Sequence, residues 1–270
     1  MTTTAGVPIL PVSLADKAVV VTGASRGIGR VLAKGFAAAG ARTVFVARRR
    51  AELQALQDEI VSAGHEGRGC VADLAEPAGV DAMLDAVMKA YGGVDVLINN
   101  VGIAGPVAPI EETAIEDWQE TIAVNLTSAF LAIRGTVPSM KRRGGGSILN
   151  IGSINGKAPF AYRSSYAASK MGMIGMTRTL ALELGPSGIR VNCILPANVA
   201  GERVDEVFAA QAQAQGSTVE EAKRKVLALS ALRTQVEPES ILNVALFLAS
   251  DHAQHMTGQD INVTAGMLMY

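Results

Sequence analysis

The stretch Ala18-Val19-Val20-Val21-Thr22-Gly23-Ala24-Ser25-Arg26-Gly27-Ile28-Gly29 passes from a buried strand through a glycine-rich turn into a helix. Its opening run is β-branched and apolar on both faces, which is the pattern of a strand inside a parallel sheet. Gly23 permits a tight turn, Gly27 lets a pyrophosphate approach the backbone, and Gly29 lets the helix pack against the strand. The helix N-terminus then faces the phosphates. Ser25, Arg26 and Ile28 complete the loop and join the three glycines as candidate cofactor contacts. A glycine triplet is common as plain structure; its place between a strand and a helix makes this one a dinucleotide-site candidate.

The same alternation continues outward. The first helix runs from Gly27 to Ala39 and is stopped by Gly40. Arg42 to Ala47 reads as the second strand, and Leu53, Leu56 and Ile60 as the apolar stripe of the second helix. Gly69 to Ala72 is the third strand, Pro77 opens a third helix, and Val94 to Ile98 is the fourth strand. One long helix is expected from Ile115 to Met140, then a strand at Ser147 to Ile151, a helix from Tyr162 to Leu184 and a strand at Ile189 to Leu195. Residues 200–231 break the rhythm: their composition shifts to Glu, Gln, Lys and Ala, and Gly216 divides them into two expected helices. A helix from Pro238 to Ser250 and a strand from Gln259 to Val263 close the pattern. The class is α/β: a doubly wound, Rossmann-like parallel sheet of about seven strands with helices on both faces. The expectation is one domain over 1–270, with a loose arm at 1–13 and a helical lid at 200–231.

Composition narrows the function classes. With 270 residues, 49% apolar content and a net charge of −1, the chain is core-forming and carries no global pull toward nucleic acid or an anionic membrane. Cys70 and Cys193 fall in apolar runs and read as buried free thiols, which fits a cytoplasmic protein. No apolar run approaches the ~18–20 residues of a membrane span. The first residues lack the basic-then-apolar pattern of a signal peptide. His252 and His255 lie near Asp251 and His65 stands alone, a spacing that does not make a metal set, so no metal is expected.

The chemistry gathers around Ser153 and the run Ser165-Tyr166-Ala167-Ala168-Ser169-Lys170. At about 3.6 residues per turn, Tyr166 and Lys170 share a helix face. An unperturbed phenol ionises near pH 10, so a proton shuttle near neutrality needs roughly 4 kcal/mol of help. One cation about 4 Å away at an effective dielectric of ~20 supplies that much. Ser153 follows the strand ending at Gly152, at the carboxyl edge where open parallel sheets place their sites. Its hydroxyl can hold a substrate oxygen while Tyr166 exchanges a proton with it. Tyr-x-x-x-Lys alone occurs often by chance; its company gives it weight.

With the glycine loop and the Ser153, Tyr166, Lys170 set together, the chain resembles the short-chain dehydrogenase/reductase family in its compact single-domain branch, over residues 14–266. Asn99-Asn100-Val101-Gly102 is similar to the family's Asn-Asn-Ala-Gly motif, and Asn125 matches the catalytic asparagine that holds a relay water. Asp73-Leu74 matches the adenine contact, and Pro196 to Val199 the segment at the nicotinamide amide. The chain departs from the family pattern at Val101, at Ala197 after Pro196, and at Thr264-Ala265-Gly266. The resemblance implies catalysis by Asn125, Ser153, Tyr166 and Lys170. It implies cofactor contacts from the glycine loop, Arg48, Asp73, Leu74, Asn99, Val101, Gly102, Pro196 and Val199, with Tyr166 and Lys170 also at the cofactor.

An acid ending the second strand would bind ribose hydroxyls and repel a 2′-phosphate. Ala47 stands there instead, followed by Arg48, with Arg26 able to reach the same place. NADP(H) is favoured and NAD(H) stays open. The implied reaction is the interconversion of a carbonyl and an alcohol, with Tyr166 as acid/base; the alternative is an NAD-dependent polyol or hydroxy-acid dehydrogenase. Two other classes fit less well: a nicotinamide-binding regulator, which would ordinarily have lost the tyrosine or lysine, and an extended-branch sugar-nucleotide enzyme, whose loop spacing differs. Ser153, Asn155, Phe160, Tyr166 and Arg203 are the expected substrate contacts. The partner is a small carbonyl or alcohol, neither nucleic acid nor membrane, and the resemblance implies a homotetramer or homodimer. The apolar end Met267-Leu268-Met269-Tyr270 is expected at a subunit interface.

Overall fold

A computed structural model describes residues 12–270. Among them the strands are β1 (Ala18–Thr22), β2 (Arg42–Ala47), β3 (Gly67–Val71), β4 (Val96–Asn99), β5 (Gly146–Ile151), β6 (Ile189–Pro196) and β7 (Asp260–Val263). They form one sheet in the order β3-β2-β1-β4-β5-β6-β7. Every neighbouring pair is parallel. The helices are α1 (Gly27–Ala38), α2 (Arg50–Ser62), α3 (Pro77–Tyr91), α4 (Ile115–Ile122), α5 (Ser128–Arg142), α6 (Ser164–Leu184), α7 (Glu202–Gln215), α8 (Val219–Leu227) and α9 (Pro238–Ala249). The order of strands reverses between β1 and β4, which opens a crevice at their carboxyl ends.

Alternation along β1 builds two cores. Val19 and Val21 face Leu32 and Phe36 of α1, Leu53 and Leu56 of α2, and Ile241 and Leu242 of α9. Ala18 and Val20 face Val80 and Met83 of α3, Ile133 and Met140 of α5, and Leu184 of α6. Each large side chain so buried stabilises the fold by roughly 1.5–3 kcal/mol. Gly35 lets α1 and α9 touch, since a methyl group there would lie 2.2 Å from Leu242 Cδ2.

Four expectations change. The long helix from Ile115 to Met140 is interrupted: α4 and α5 are joined by a π-helical turn, Ala123–Thr127, centred on Asn125. The strand β3 begins at Gly67 rather than Gly69, paired with Thr43 of β2. β4 begins at Val96 rather than Val94; the Val94 N–H donates to Ser139 Oγ at 3.1 Å instead of to a neighbouring strand. The arm ends earlier than position 13: Val12 is buried in the core, while 1–11 lie outside the described residues. Two helices, α7 and α8, do flank Gly216, and Thr218 and Glu221 close a reciprocal cap at the start of α8. Among the described residues no helix is long and apolar enough to cross a membrane.

Candidate active site

The glycine loop is fixed from β4. Asn100 Nδ2 donates to the Thr22 carbonyl at 3.0 Å and to the Gly23 carbonyl at 3.1 Å. Its own N–H donates to Thr22 Oγ1 at 2.9 Å. Asn100 and Thr22 are thus site-building residues that the sequence reading left out, although the doubled asparagine at 99–100 was the available signal. Gly23 and Gly27 adopt φ of +68° and +54°, the left-handed region open to glycine. A methyl group on Gly29 would lie 2.2 Å from the Gly23 carbonyl oxygen, whereas one on Gly27 would meet nothing within 4 Å. The loop is packed tightly from inside and open outside, which is the shape of a phosphate cradle at a helix N-terminus.

Along the same edge, Asn99 is buried and donates to Asn150 Oδ1 at 2.9 Å, while its own Oδ1 is buried without a partner. An unmet buried acceptor costs about 1–3 kcal/mol, so this oxygen is fitted to a ligand donor. The Gly23, Gly27 and Asn99 geometry fits a dinucleotide. The Leu74 side chain is part of the core, so any adenine contact there uses its main chain. Asp73 Oδ1 accepts the Ala75 N–H at 3.0 Å, and its Oδ2 pairs with Arg48 at 3.4 Å. Glu52, an acid that the sequence reading did not single out, returns to the glycine loop. A hydrogen bond from Arg49, with smaller help from Ser25 and Arg26, holds its carboxyl below the usual range. Val101 and Val199 are half-buried and Pro196 is buried at the end of β6.

The four candidate catalytic residues come from the π-helical turn between α4 and α5 (Asn125), the turn after β5 (Ser153) and α6 (Tyr166 and Lys170). Ser153 begins a 3₁₀ turn, Ile154–Gly156, and its Oγ accepts the Asn155 N–H at 3.2 Å. Lys170 is buried, its Nζ donates to the Ile151 carbonyl at 3.0 Å, and it lies 5.7 Å from the centroid of the half-buried Tyr166 ring. Gly102 completes the approach: a methyl group there would sit 3.7 Å from Lys170 Nζ and 3.2 Å from Asn125 Oδ1. Asn125 is buried, and both ends of its amide are engaged. Oδ1 accepts the Ile103 N–H at 2.7 Å, and Nδ2 donates to the Ile103 carbonyl and to Ser169 Oγ, each at 3.1 Å. A water held at Asn125 must therefore use its main chain, at the π turn.

The remaining candidates border this centre. Asn155 Oδ1 is buried and unpartnered, and Phe160 is exposed at the rim. The Arg203 side chain lies outside the described residues. Ala197 does not adopt a positive φ, so the departure from glycine there is accommodated; Asn198 and Ala265 do, at +44° and +53°. Of the terminal segment, Leu268 is buried against Ile154 and Ala197, and the Tyr270 carbonyl accepts Lys157 Nζ at 2.9 Å. The end of the chain is therefore partly an internal brace rather than wholly an interface. Cys70 and Cys193 are buried free thiols, and burial pushes Cys193 up to about 12. Among the described residues no group of three or more His, Cys, Asp or Glu could hold a metal ion.

A family profile described as short chain dehydrogenase matches residues 17–212. The chain is 36% identical over 257 residues to D-beta-hydroxybutyrate dehydrogenase of Rhizobium meliloti (strain 1021), spanning 93% of this chain and 98% of that protein. It superposes with a TM-score of 0.91 and 32% identity on L-sorbose reductase from Gluconobacter frateurii complexed with NADPH and L-sorbose, covering 97% of this chain and 100% of that one. It also superposes, with a TM-score of 0.87 and 31% identity, on 7α-hydroxysteroid dehydrogenase complexed with NADH and 7-oxo glycochenodeoxycholic acid, covering 95% and 96%.

Proposed function

The chain belongs to the short chain dehydrogenase family and is an oxidoreductase of the CH–OH/C=O class that uses a nicotinamide cofactor, and we propose that it prefers NADP(H) and works with Tyr166 as its acid/base. The observation that carries the preference is the end of β2, where Ala47 stands in place of an acid and Arg48 follows, 64% exposed at its side chain. The Arg48 pair with Asp73 at 3.4 Å is exposed and weak, so a phosphate can take the guanidinium over. Glu52 beside Arg26 works against the preference, and it leaves an NAD-dependent polyol or hydroxy-acid dehydrogenase as the second reading. The relatives named above act, by name, on a hydroxy acid, a sugar and a steroid, and span both cofactors.

When bound, the cofactor supplies or accepts a hydride at the substrate carbon. The glycine loop, Asn99 and the main chain at Asp73 and Leu74 would hold it. Ser153 and Tyr166 hold the substrate oxygen, and Tyr166 passes the proton to or from it. Lys170, fixed on the Ile151 carbonyl, keeps its cation against the Tyr166 ring, where it stabilises negative charge developing on the phenol oxygen. The Asn125 amide fastens the loop at Ile103 to α6 through Ser169, and its main chain offers the water link to solvent. Residues 1–270 act as one domain in this reading, with 200–231 as a lid over the substrate.

Titrating the full chain with NADPH and with NADH, followed by nicotinamide emission, tests this. NADPH is expected to bind at least ~10-fold tighter, with Arg48→Ala removing most of the difference. Tighter NADH binding overturns the NADP preference and returns the second reading.

A further inference from the structure

Inside a parallel sheet covered on both faces, a polar side chain is costly unless its hydrogen bonds are met. On the face toward α6, Leu97 of β4, Ile148 of β5 and Val191 of β6 stand side by side in register and are buried in the core. Two residues further along each strand the row turns polar. Asn99, Asn150 and Cys193 are again in register, and each is buried. The row runs on to Asp260 of β7, which is paired with Cys193 and bound by Lys157 and Arg178. It crosses the sheet from the crevice beside β1 to the far edge.

The hydrogen bonds along this row have a direction. Asn99 Nδ2 donates to Asn150 Oδ1, and Asn150 Nδ2 donates to Thr177 Oγ1, both at 2.9 Å. Thr177 is fully buried on α6. Each amide therefore turns its NH2 along the row toward Thr177, and the Asn99 oxygen is left at the end of the chain, buried without a partner. Turning both amides over would keep the two links, with Thr177 as donor, and would leave an NH2 at that end instead. The surroundings of Thr177 choose between the two. Cys193 gives its thiol proton to the Ile194 carbonyl at 3.9 Å, so its sulfur is free to accept from the Thr177 hydroxyl that faces it. That leaves the Thr177 oxygen to accept from Asn150. The helix is itself fixed here, since Arg178, next after Thr177, binds Asp260 at 2.7 Å.

We propose that Asn150 and Thr177 are positioning residues, which hold Asn99 with its oxygen toward the crevice to accept a hydrogen bond from a ribose hydroxyl of the nicotinamide cofactor. This rests on the nicotinamide-dependent reading above and extends it to two side chains that are fully buried. Asn99 ends β4, beside β1 and the glycine loop that would hold the pyrophosphate, and the groups flanking a pyrophosphate in a dinucleotide are its two riboses. A ribose hydroxyl can donate, whereas phosphate oxygens accept. The oxygen end of Asn99 therefore suits a ribose, and the NH2 end would suit a phosphate.

The test titrates the full chain with NADPH and with NADH, followed by nicotinamide emission, in wild type, T177V and T177S. Valine keeps the shape of threonine and removes only the hydroxyl that accepts from Asn150; serine restores it. T177V is expected to bind both cofactors about 3- to 10-fold more weakly, the span of one net hydrogen bond, and T177S to stay within ~2-fold of wild type. Melting curves separate this from a packing role: a lower melting temperature in T177V with unchanged affinity for both cofactors overturns the proposal. So does a T177S that loses as much affinity as T177V. A loss confined to NADPH would place the effect at the 2′-phosphate and overturn it as well. Should T177V fail to fold, a crystal structure of wild type with NADPH decides. A ribose oxygen within ~3.2 Å of the Asn99 amide oxygen, with the Asn150 bond to Thr177 intact, supports the proposal, and none within ~3.5 Å overturns it. Wild type that binds neither nicotinamide would strike the underlying reading and this proposal with it.

Discussion

A methyl group on Gly29 would stand 2.2 Å from the Gly23 carbonyl oxygen and 2.4 Å from Asn100 Nδ2, so backbone has to move to admit it. On Gly27 the same group would meet nothing within 4 Å, although the φ of +54° is strained for any other residue. The two glycines therefore fail differently. Gly29→Ala is expected to cost roughly 3 kcal/mol or more, at the upper end of overpacking. Gly27→Ala is expected to cost about 1 kcal/mol of stability, from its left-handed conformation. Its larger effect should fall on nicotinamide affinity, because the open side of the loop is where phosphates approach. Urea melts of the two variants, set beside NADPH titrations, check this; equal losses of stability would mean that the loop is not packed as described. Both roles were legible from spacing alone, since a strand, a tight turn and a helix leave little choice of where glycine must sit. Asn100 was harder to read, because the doubled asparagine at 99–100 marks the place but its amide acts across the sheet, on Thr22 and Gly23.

At the scale of elements, the alternation of strands and helices that makes a parallel sheet, and the helices that follow strong apolar stripes, could be read from periodicity; the order of the strands could not. Nor could the interruption at Asn125. Ile115 to Met140 has helical composition throughout, and the π turn matches an external demand: the Asn125 amide reaches both the N–H and the carbonyl of Ile103, in a loop distant in sequence. Strand β3 starts two residues before its expected first residue for a related reason. Gly67 lies where a methyl group would press within 2.9 Å of Ile60 and Phe45, so the strand begins with a residue that carries no strand signal. The other end of the sheet carries a charge device that periodicity does not reveal. Burial works to raise the Asp260 carboxyl, but hydrogen bonds from Lys157 and Arg178 outweigh it and hold it below the usual carboxylate range. A carboxyl lowered in the folded state adds stability above its unfolded pKa of about 3.9 and loses it as the pH falls through the folded value. Asp260→Asn is accordingly expected to lose roughly 2–3 kcal/mol at pH 7, less than the ~3–5 of a fully buried pair because Arg178 is largely exposed. The gap to wild type should close as the pH drops below about 4. Chemical denaturation across pH 3–7 measures it, and a gap constant with pH would assign the loss to packing rather than charge.

For the whole molecule, the faces of α5 and α6 that turn away from the sheet carry apolar side chains without cover. Phe130 is 47% exposed, Met171 52% and Leu182 83%. Met171 and Leu182 are three helical turns apart and so share one face of α6. Leaving such a stripe in water is unfavourable at roughly 25 cal/mol per Å², and a second copy of the chain laid against it would remove the cost. A homo-oligomer of the kind the family resemblance implies is accordingly expected to have its seam on these helices. The chain terminus contributes less than its composition suggests, since Leu268 is buried within its own chain and Met269 and Tyr270 are left outside. Deleting Met267 to Tyr270 would also release the brace on Lys157, so a change in activity would not report on assembly. Leu182→Glu combined with Phe130→Glu is the cleaner experiment, because neither side chain belongs to the core or borders the candidate active site. The variant is expected to elute and scatter as a smaller species than wild type at the same concentration, with an unchanged circular dichroism spectrum. Wild type that is monomeric by light scattering, or an unchanged mass in the double variant, would rule this seam out. The α6 stripe also links assembly to chemistry, since Met171 follows Lys170 directly. A subunit seated there would stiffen the helix that carries Tyr166 and Lys170, so dilution below the dissociation range is expected to lower kcat along with mass.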